Sequence, residues 1–306
     1  MENNWIFKKM KIAITGASGF VGLNLHDYLS SNHEIETLSV RYVPDQELRL
    51  ETNAVIHLAG KAHDLKKVSK PSDYYDANFE LTKQLFDAFL NSGTQVFIFI
   101  SSVKACADKV EGVLEENSNA NPKTHYGISK LQAEQYLLSK KLPEGKRVYI
   151  IRPCMIHGPG NKGNLNLLYT LVSKGIPWPL GAFSNQRSFL SIENLCFVIK
   201  ELVENESIDS GVYQVADDKA ISTNELILTL NKALGKKSMA WQIPTTAIHG
   251  IAKLGDLLHL PLNSERLQKL TENYVVSNKK ITQAIGRPLP VSVYDGLIKT
   301  FKSFRI

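Results

Sequence analysis

The chain has 306 residues, 43% of them hydrophobic and 22% charged, with 36 Lys and Arg against 30 Asp and Glu for a net charge of +6. That composition excludes disorder, collagen and coiled coil, and the length allows one large domain or two modest ones. The basic excess is spread along the chain, which suits an anionic small substrate rather than the clustered stripe of a nucleic-acid binder.

Taken in chain order, Lys11–Thr15 reads as a short strand ending in a glycine turn, and Phe20–Ser31 as a helix with Val21, Leu25, Tyr28 and Leu29 at helical spacing. Ile35–Val40 and Val55–Ala59 read as strands, with room between them only for a very short one. Asn78–Asn91 reads as a helix closed by Gly93. Val96–Ile100 is a continuous apolar strand, the kind buried on both faces. Gly127–Lys140 is predicted helical and Val148–Ile151 a further buried strand. Beyond Pro153 the alternation loosens into a glycine-rich loop. Helices are predicted at Leu165–Lys174, Ile192–Glu204, Thr223–Leu234 and Thr246–Leu258, with a short strand at Val212–Ala216.

Alternating buried strands and helices predict an α/β protein, a Rossmann doubly wound parallel sheet with a smaller C-terminal substrate-binding domain. The expected division is residues 1–160 with about 191–216 as the NAD(P)-binding domain, and 161–190 with 217–306 as the substrate-binding domain. No uncharged apolar run approaches the ~20 residues of a membrane span, so no stable membrane insertion is expected. Met1–Lys11 lacks the apolar stretch and cleavage site of a secretory signal. Cys106, Cys154 and Cys196 are odd in number and far apart, which argues against a disulfide framework or a zinc site. A cytoplasmic protein is the expectation.

Gly16, Gly19 and Gly22, spaced G-x-x-G-x-x-G, lie between the first strand and first helix, where such a sheet binds a pyrophosphate. Gly16 permits the turn, Gly19 lets backbone approach phosphate, and Gly22 lets helix and strand pack. Ser18, Phe20 and Val21 complete the loop and the first helical turn. An NAD enzyme places an acid after the second strand to hold the ribose 2′-hydroxyl. No acid lies between Ser39 and Pro44, and Arg41 is there instead. A guanidinium suits the 2′-phosphate of NADP, so NADP(H) is favoured over NAD(H); the plain alternative is a solvated surface arginine.

Tyr126 and Lys130 are four apart, hence on one helix face. A phenol with a pKa near 10 needs help to act near neutrality, and a nearby ammonium lowers it. Ser102 ends the strand Val96–Ile100 and so falls at the carboxyl edge of the sheet, able to orient a carbonyl or alcohol. Other polar residues invite plainer readings: His57 as a satisfied core histidine, Cys154 as a buried free thiol, and the apolar stretch Ala247–Leu262 as core rather than a membrane contact.

With these motifs on the page, the chain resembles an extended short-chain dehydrogenase/reductase of the NAD(P)-dependent epimerase/dehydratase family, from Lys11 to about Phe301. The loop Gly16–Gly22, Leu58-Ala59-Gly60, Asn78 with Thr82, the set Ser101, Ser102, Tyr126 and Lys130, and Arg152-Pro153 followed by His157-Gly158-Pro159-Gly160 carry the resemblance. It implies cofactor contacts at Leu58, Ala59, Gly60, Tyr126, Lys130 and Pro153, and a nucleotide sugar as substrate. It implies substrate contacts at Ser102, Lys104, Tyr126, Asn164, Leu165 and Arg187, the last as a phosphate ligand; a surface salt bridge is the plain alternative for Arg187. It adds His63 as a substrate-contact candidate and Lys162 as an aid to a phosphate, with a solubilising loop lysine as the plain alternative for Lys162. It also implies a homodimer through helices Asn78–Asn91 and Gly127–Lys140.

The departures matter. Val103 and Lys104 stand where a dehydratase carries Asp-Glu, so a 4,6-dehydratase is not expected. His157 replaces the usual tyrosine, Asn194 replaces an aspartate, and Arg266 is only a guess for a second C-terminal arginine. Ser102-Val103-Lys104 and Pro179-Leu180-Gly181 resemble 4-keto reductases of UDP-6-deoxy-N-acetylhexosamines. The leading expectation is therefore NADP(H)-dependent reduction of a 4-keto-6-deoxy nucleotide sugar, UDP foremost. A 4-epimerase with tightly held NAD is the alternative, and a non-catalytic NADP-sensing module a third.

Overall fold

Strand β1 (Lys11–Thr15) comes first in the computed structural model, which describes residues 9–62, 70–161, 163–237, 240–258 and 263–304. Helix α1 (Phe20–Leu29) leads from it to β2 (Glu34–Leu38). No strand follows until β3 (Ala54–His57), so the Leu58-Ala59-Gly60 motif directly follows the third strand. Helix α2 (Pro71–Tyr75) runs through a π-helical turn at Asp76–Glu80 into α3 (Leu81–Leu90), so the helix expected from Asn78 begins seven residues earlier. Next come β4 (Val96–Ile100), a 3₁₀ turn (Val103–Ala105), β5 (Val113–Leu114), α4 (His125–Ser139), β6 (Arg147–Pro153) and β7 (Met155–His157). The chain continues through α5 (Asn164–Ser173), β8 (Phe189–Ser191), α6 (Ile192–Glu204), β9 (Gly211–Val215), α7 (Thr223–Leu234) and α8 (Thr245–Leu258). It ends with α9 (Ser264–Thr271), β10 (Val275–Val276), α10 (Lys279–Ile285) and α11 (Val293–Ser303).

The main sheet has six strands in the order β2-β1-β3-β4-β6-β9, every pair parallel. Chain order reverses at β1, so the crevice opens at the carboxyl ends of β1, β3 and β4, where such sheets bind ligands. Their inner residues are apolar on both faces because helices cover both. One face packs Ile12, Ile14, Ile56 and Ile98 against α1 and α6, and the other packs Val55, Phe97, Phe99 and Ile150 against α3 and α4.

A separate apolar cluster gathers Leu165, Trp178, Leu180, Phe189, Ile227, Ile248, Leu267 and Phe301, from α5, α7, α8, α9, α11 and the segments between them. Two small parallel pairs, β5 with β10 and β7 with β8, tie this part to the sheet. Helices α6 and α7 begin where their N-caps predict: Ser191 Oγ accepts from the N–H of Asn194 at 3.2 Å, and Ser222 forms a capping box with Glu225.

Candidate active site

Between β1 and α1 the chain is bare of side-chain bulk. Gly16 has φ +69°, and a Cβ there would lie 2.8 Å from the amide nitrogen of Ala59. At Gly22 it would lie 2.4 Å from the carbonyl oxygen of Gly16. Gly19 caps α1 with no side-chain hydrogen bond, which leaves the first-turn N–H groups at Phe20 and Val21 for a ligand. Ser18 and Gly19 are exposed on the same turn. A bare loop, open N–H donors and the positive end of a helix dipole suit a pyrophosphate. Arg41 is exposed three residues past the end of β2, outside the cavity described below.

Buried hydrogen bonds run from this loop to the helix carrying Tyr126. The Ala59 N–H donates to Thr15 Oγ1 (3.0 Å), the Thr15 hydroxyl to His57 Nδ1 (2.8 Å), His57 Nε2–H to Thr82 Oγ1 (2.9 Å), and the Thr82 hydroxyl to the carbonyl of Asn78 (2.8 Å). Each hydroxyl has one proton to give, so the order of donation assigns His57 the Nε2–H tautomer. Burial, with the Lys130 charge adding, pushes the His57 pKa down to about 3 and keeps the ring neutral. Asn78 then donates to Ser129 Oγ (3.0 Å) and to the carbonyl of Lys61 (3.1 Å), and the Ser129 hydroxyl donates to the carbonyl of Tyr126 (2.9 Å). A Cβ on Gly60 would come within 2.6 Å of Asn78 Oδ1, so glycine is required there.

A cavity of about 250 Å³ opens at the carboxyl edge. Of the residues expected from sequence, Val21, Leu58, Gly60, Ser102, Tyr126, Lys130 and Pro153 line it. A larger cleft of about 710 Å³, between residues 42–51 and α3, contains none of them. Burial raises the Tyr126 phenol above its ordinary value, and a hydrogen bond with Ser102 opposes that rise. Lys130 Nζ donates to the carbonyl of Ile100 at 2.9 Å and lies 4.6 Å from the centre of the Phe99 ring. Burial lowers its pKa to about 8, with Glu134 opposing. Ser102 thus supplies the hydrogen bond that opposes the rise at Tyr126, while the Lys130 ammonium is held at the Ile100 carbonyl.

Below the cavity, Glu134 receives the Ser101 hydroxyl and the guanidinium of Arg152, whose Nε and Nη2 donate at 3.0 and 2.5 Å. All three side chains are buried, so the end of β4, β6 and α4 are cross-linked in the interior. Cys154 lines the cavity as well, but burial pushes its thiol well above the ordinary range, which suits a packing role rather than a nucleophile.

On the outer side, the backbone N–H of Lys104 caps back to Ser102 Oγ (3.1 Å), while its ammonium donates to the carbonyl of Asp108 (2.9 Å) and sits 4.3 Å from the centre of the Tyr274 ring. Arg187 Nη1 donates to the carbonyl of Lys269 at 2.5 Å, and its backbone pairs with Ile221 and Tyr274. Burial lowers the pKa of both cations, and each has Glu272 as its principal opposing charge. Among the described residues neither forms a salt bridge. Leu165 is buried in the second apolar cluster, which leaves its backbone N–H, in the first turn of α5, as the part able to meet a ligand. Asn164 opens the same helix. His63 and Lys162 lie outside the described residues.

The family model for the NAD dependent epimerase/dehydratase family matches residues 12–216, two thirds of the chain. The chain belongs to this family. Among its curated relatives, UDP-glucose 4-epimerase from Vibrio cholerae is 32% identical, covering 96% of this chain and 95% of its own. N-acetyl-alpha-D-glucosaminyl-diphospho-ditrans,octacis-undecaprenol 4-epimerase from Escherichia coli O157:H7 is 30% identical, covering 76% of this chain and 75% of its own. GDP-6-deoxy-D-mannose reductase from Pseudomonas aeruginosa is 28% identical, covering 71% of this chain and 78% of its own.

Within this epimerase/dehydratase fold, His157 fills the place of the usual tyrosine as a buried structural residue: its Nδ1–H donates to Thr300 Oγ1 (2.9 Å), joining β7 to α11. Asn194, in place of aspartate, donates to Asp217 Oδ1 and to the carbonyl of Val291, both at 2.7 Å. Arg266 is exposed on α9. Sequence reasoning missed Tyr274 and Glu134. The second had a signal, since it stands four residues after Lys130 on the same helical face; the first had none, since only tertiary packing brings Tyr274 beneath Lys104.

Proposed function

We propose that this protein transfers hydride at C4 of a sugar diphosphate with NADP(H), its net reaction being reduction of a 4-keto-6-deoxy sugar carried on a nucleotide, UDP foremost. The observation that carries this reading is the convergence of Ser102, Tyr126 and Lys130 on one cavity at the mouth of the glycine loop. The loop Gly16–Gly22 would hold the pyrophosphate, with Leu58, Ala59, Gly60 and Pro153 beside the nicotinamide half. When bound, the nicotinamide supplies the hydride that C4 receives. Tyr126 donates its proton to the C4 oxygen as charge develops there. Ser102 orients that oxygen and steadies the phenolate left behind. Lys130, a cation on the same helical face, stabilises that phenolate and holds the nicotinamide ribose. Lys104 and Arg187, which form no salt bridge among the described residues, suit the diphosphate. Val103 and Lys104 supply no acid to expel a C6 hydroxyl, so dehydration does not fit.

Epimerisation at C4 with retained NAD is the second reading, favoured by the kinship to the Vibrio cholerae and Escherichia coli epimerases. A polyprenol, as in the name of the second of these, is a second carrier that a diphosphate site could accept. The deciding experiment incubates the protein with NADPH and 4-keto UDP-sugars. Loss of nicotinamide absorbance with formation of a 4-hydroxy sugar is the expected result. Interconversion of UDP-hexoses with no net change in nicotinamide would replace reduction by epimerisation.

The reading includes a cytoplasmic homodimer through α3 and α4, which sedimentation equilibrium checks, and a substrate-binding lobe of residues 161–190 and 217–306, supported by their separate apolar cluster. Arg41→Ala is expected to weaken NADP binding by about one to two decades and to leave NAD nearly unchanged, the scale of a lost charge-assisted contact. Equal affinity of the parent protein for both cofactors, measured by titration, would remove the NADP preference. Arg187→Ala is expected to raise KM for the sugar diphosphate without moving cofactor affinity, and less so at high salt. An unchanged KM would return Arg187 to a structural role on α9.

A further inference from the structure

Helix α8 was expected to pack as core, and only one side of it does. Ile248, Ala252 and Gly255 are buried, whereas Ile251, Leu254, Leu257 and Leu258 are 47, 57, 73 and 62% exposed. A helix at the surface of a globular protein ordinarily turns charged residues to that side. On α8 the charges are Lys253 and Asp256, and Asp256 is occupied by the hydroxyl and N–H of Ser264 at 2.5 and 3.0 Å. The surroundings are basic. Residues 163–190 and 235–272, which include α8 and the α9 packed on it, carry Lys174, Arg187, Lys236, Lys237, Lys253, Arg266 and Lys269 against Asp256, Glu265 and Glu272. Lys236 is fixed to the carbonyl of Ser173 at the end of α5, beside exposed Ile176, and exposed Trp241 bonds to the carbonyl of Trp178 just before α8.

We propose that this face of α8 seats the enzyme on an anionic bilayer, from which it also takes a sugar diphosphate carried on the second carrier, a polyprenol. An outward apolar stripe flanked by cations is the pattern of a helix lying in a lipid interface. Among the described residues no helix is long and apolar enough to cross the membrane, so the contact is peripheral. Lys253 flanks the stripe, where an anionic headgroup can meet it. The position fits the carrier: Arg187 bonds to the carbonyl of Lys269 on α9, and α9 packs on α8, so the phosphate-binding arginine is one helix away from the apolar face. A polyprenol held in the bilayer presents its diphosphate at the surface on which the stripe would lie. The assignment rests on the sugar-diphosphate reading above.

The test uses the full chain with phosphatidylcholine vesicles, with and without phosphatidylglycerol, in sedimentation assays. Binding to the anionic vesicles that falls with added salt is expected, and the double variant Leu254→Ser, Leu258→Ser should partition roughly tenfold less. The variant should keep its NADP(H) affinity and its turnover of a soluble 4-keto UDP-sugar, and lose most turnover of the same sugar on a polyprenyl diphosphate in vesicles. Parent protein that stays in the supernatant, a variant that pellets like the parent, or a variant that changes from dimer to monomer would each overturn the proposal. Absence of turnover on both carriers with vesicle binding intact would instead overturn the hydride-transfer reading, and the polyprenol assignment with it.

Discussion

Tyr126→Phe is expected to slow hydride transfer by about two to four decades, the usual scale for loss of a general acid–base group. Ring packing survives the substitution, so folding and NADP(H) affinity should hold. The size follows from the position of the phenol: it lines the cavity, and burial keeps it protonated and able to donate. Ser102→Ala should cost less in rate but carries a distinct signature. The Ser102 hydrogen bond favours the phenolate, so its removal raises the Tyr126 pKa further. A proton donor works below its pKa, so the alkaline fall of the reduction rate should move to higher pH in this variant. Single-turnover rates across pH check both statements. Near-normal turnover in Tyr126→Phe on a verified 4-keto substrate would end the mechanism.

Glu134→Ala is expected to cost about 3–5 kcal/mol of folding stability, because it leaves a buried guanidinium without its counter-charge. Among the described residues Arg152 Nη1 has no hydrogen-bond partner, and both side chains are buried, so the lost carboxylate would leave the guanidinium in a low-dielectric interior. Against a total stability of about 5–15 kcal/mol the loss should be plain in urea unfolding. The effect extends to chemistry, since Glu134 opposes the burial that lowers Lys130 to about 8. Without it the ammonium titrates lower, and cofactor affinity should fall as pH rises through that range. A loss of under ~1 kcal/mol would mean that the pair is hydrated in solution and contributes like a surface bridge.

The amino-acid sequence by itself determined whatever local chemistry controls. The glycine spacing placed the cofactor loop, since only glycine tolerates the positive φ at Gly16 and the approach of backbone at Gly22. The bounds of α6 and α7 were legible to the residue because Ser191 and Ser222 cap them. Strands β4 and β6 declared themselves as apolar runs buried on both faces. Tertiary structure alone decided the rest. Pairs as short as β5 with β10 have no periodicity of their own and exist through a partner some 160 residues away. Helices α9, α10 and α11 went unread because they are short or lie beyond the regular alternation. The direction of Lys130 was set by the carbonyl of Ile100, on a strand that sequence spacing could not aim at it. Composition marked α8 as apolar, but an apolar helix can be buried on one side or all round, and only the packing of its neighbours left Leu254, Leu257 and Leu258 facing out.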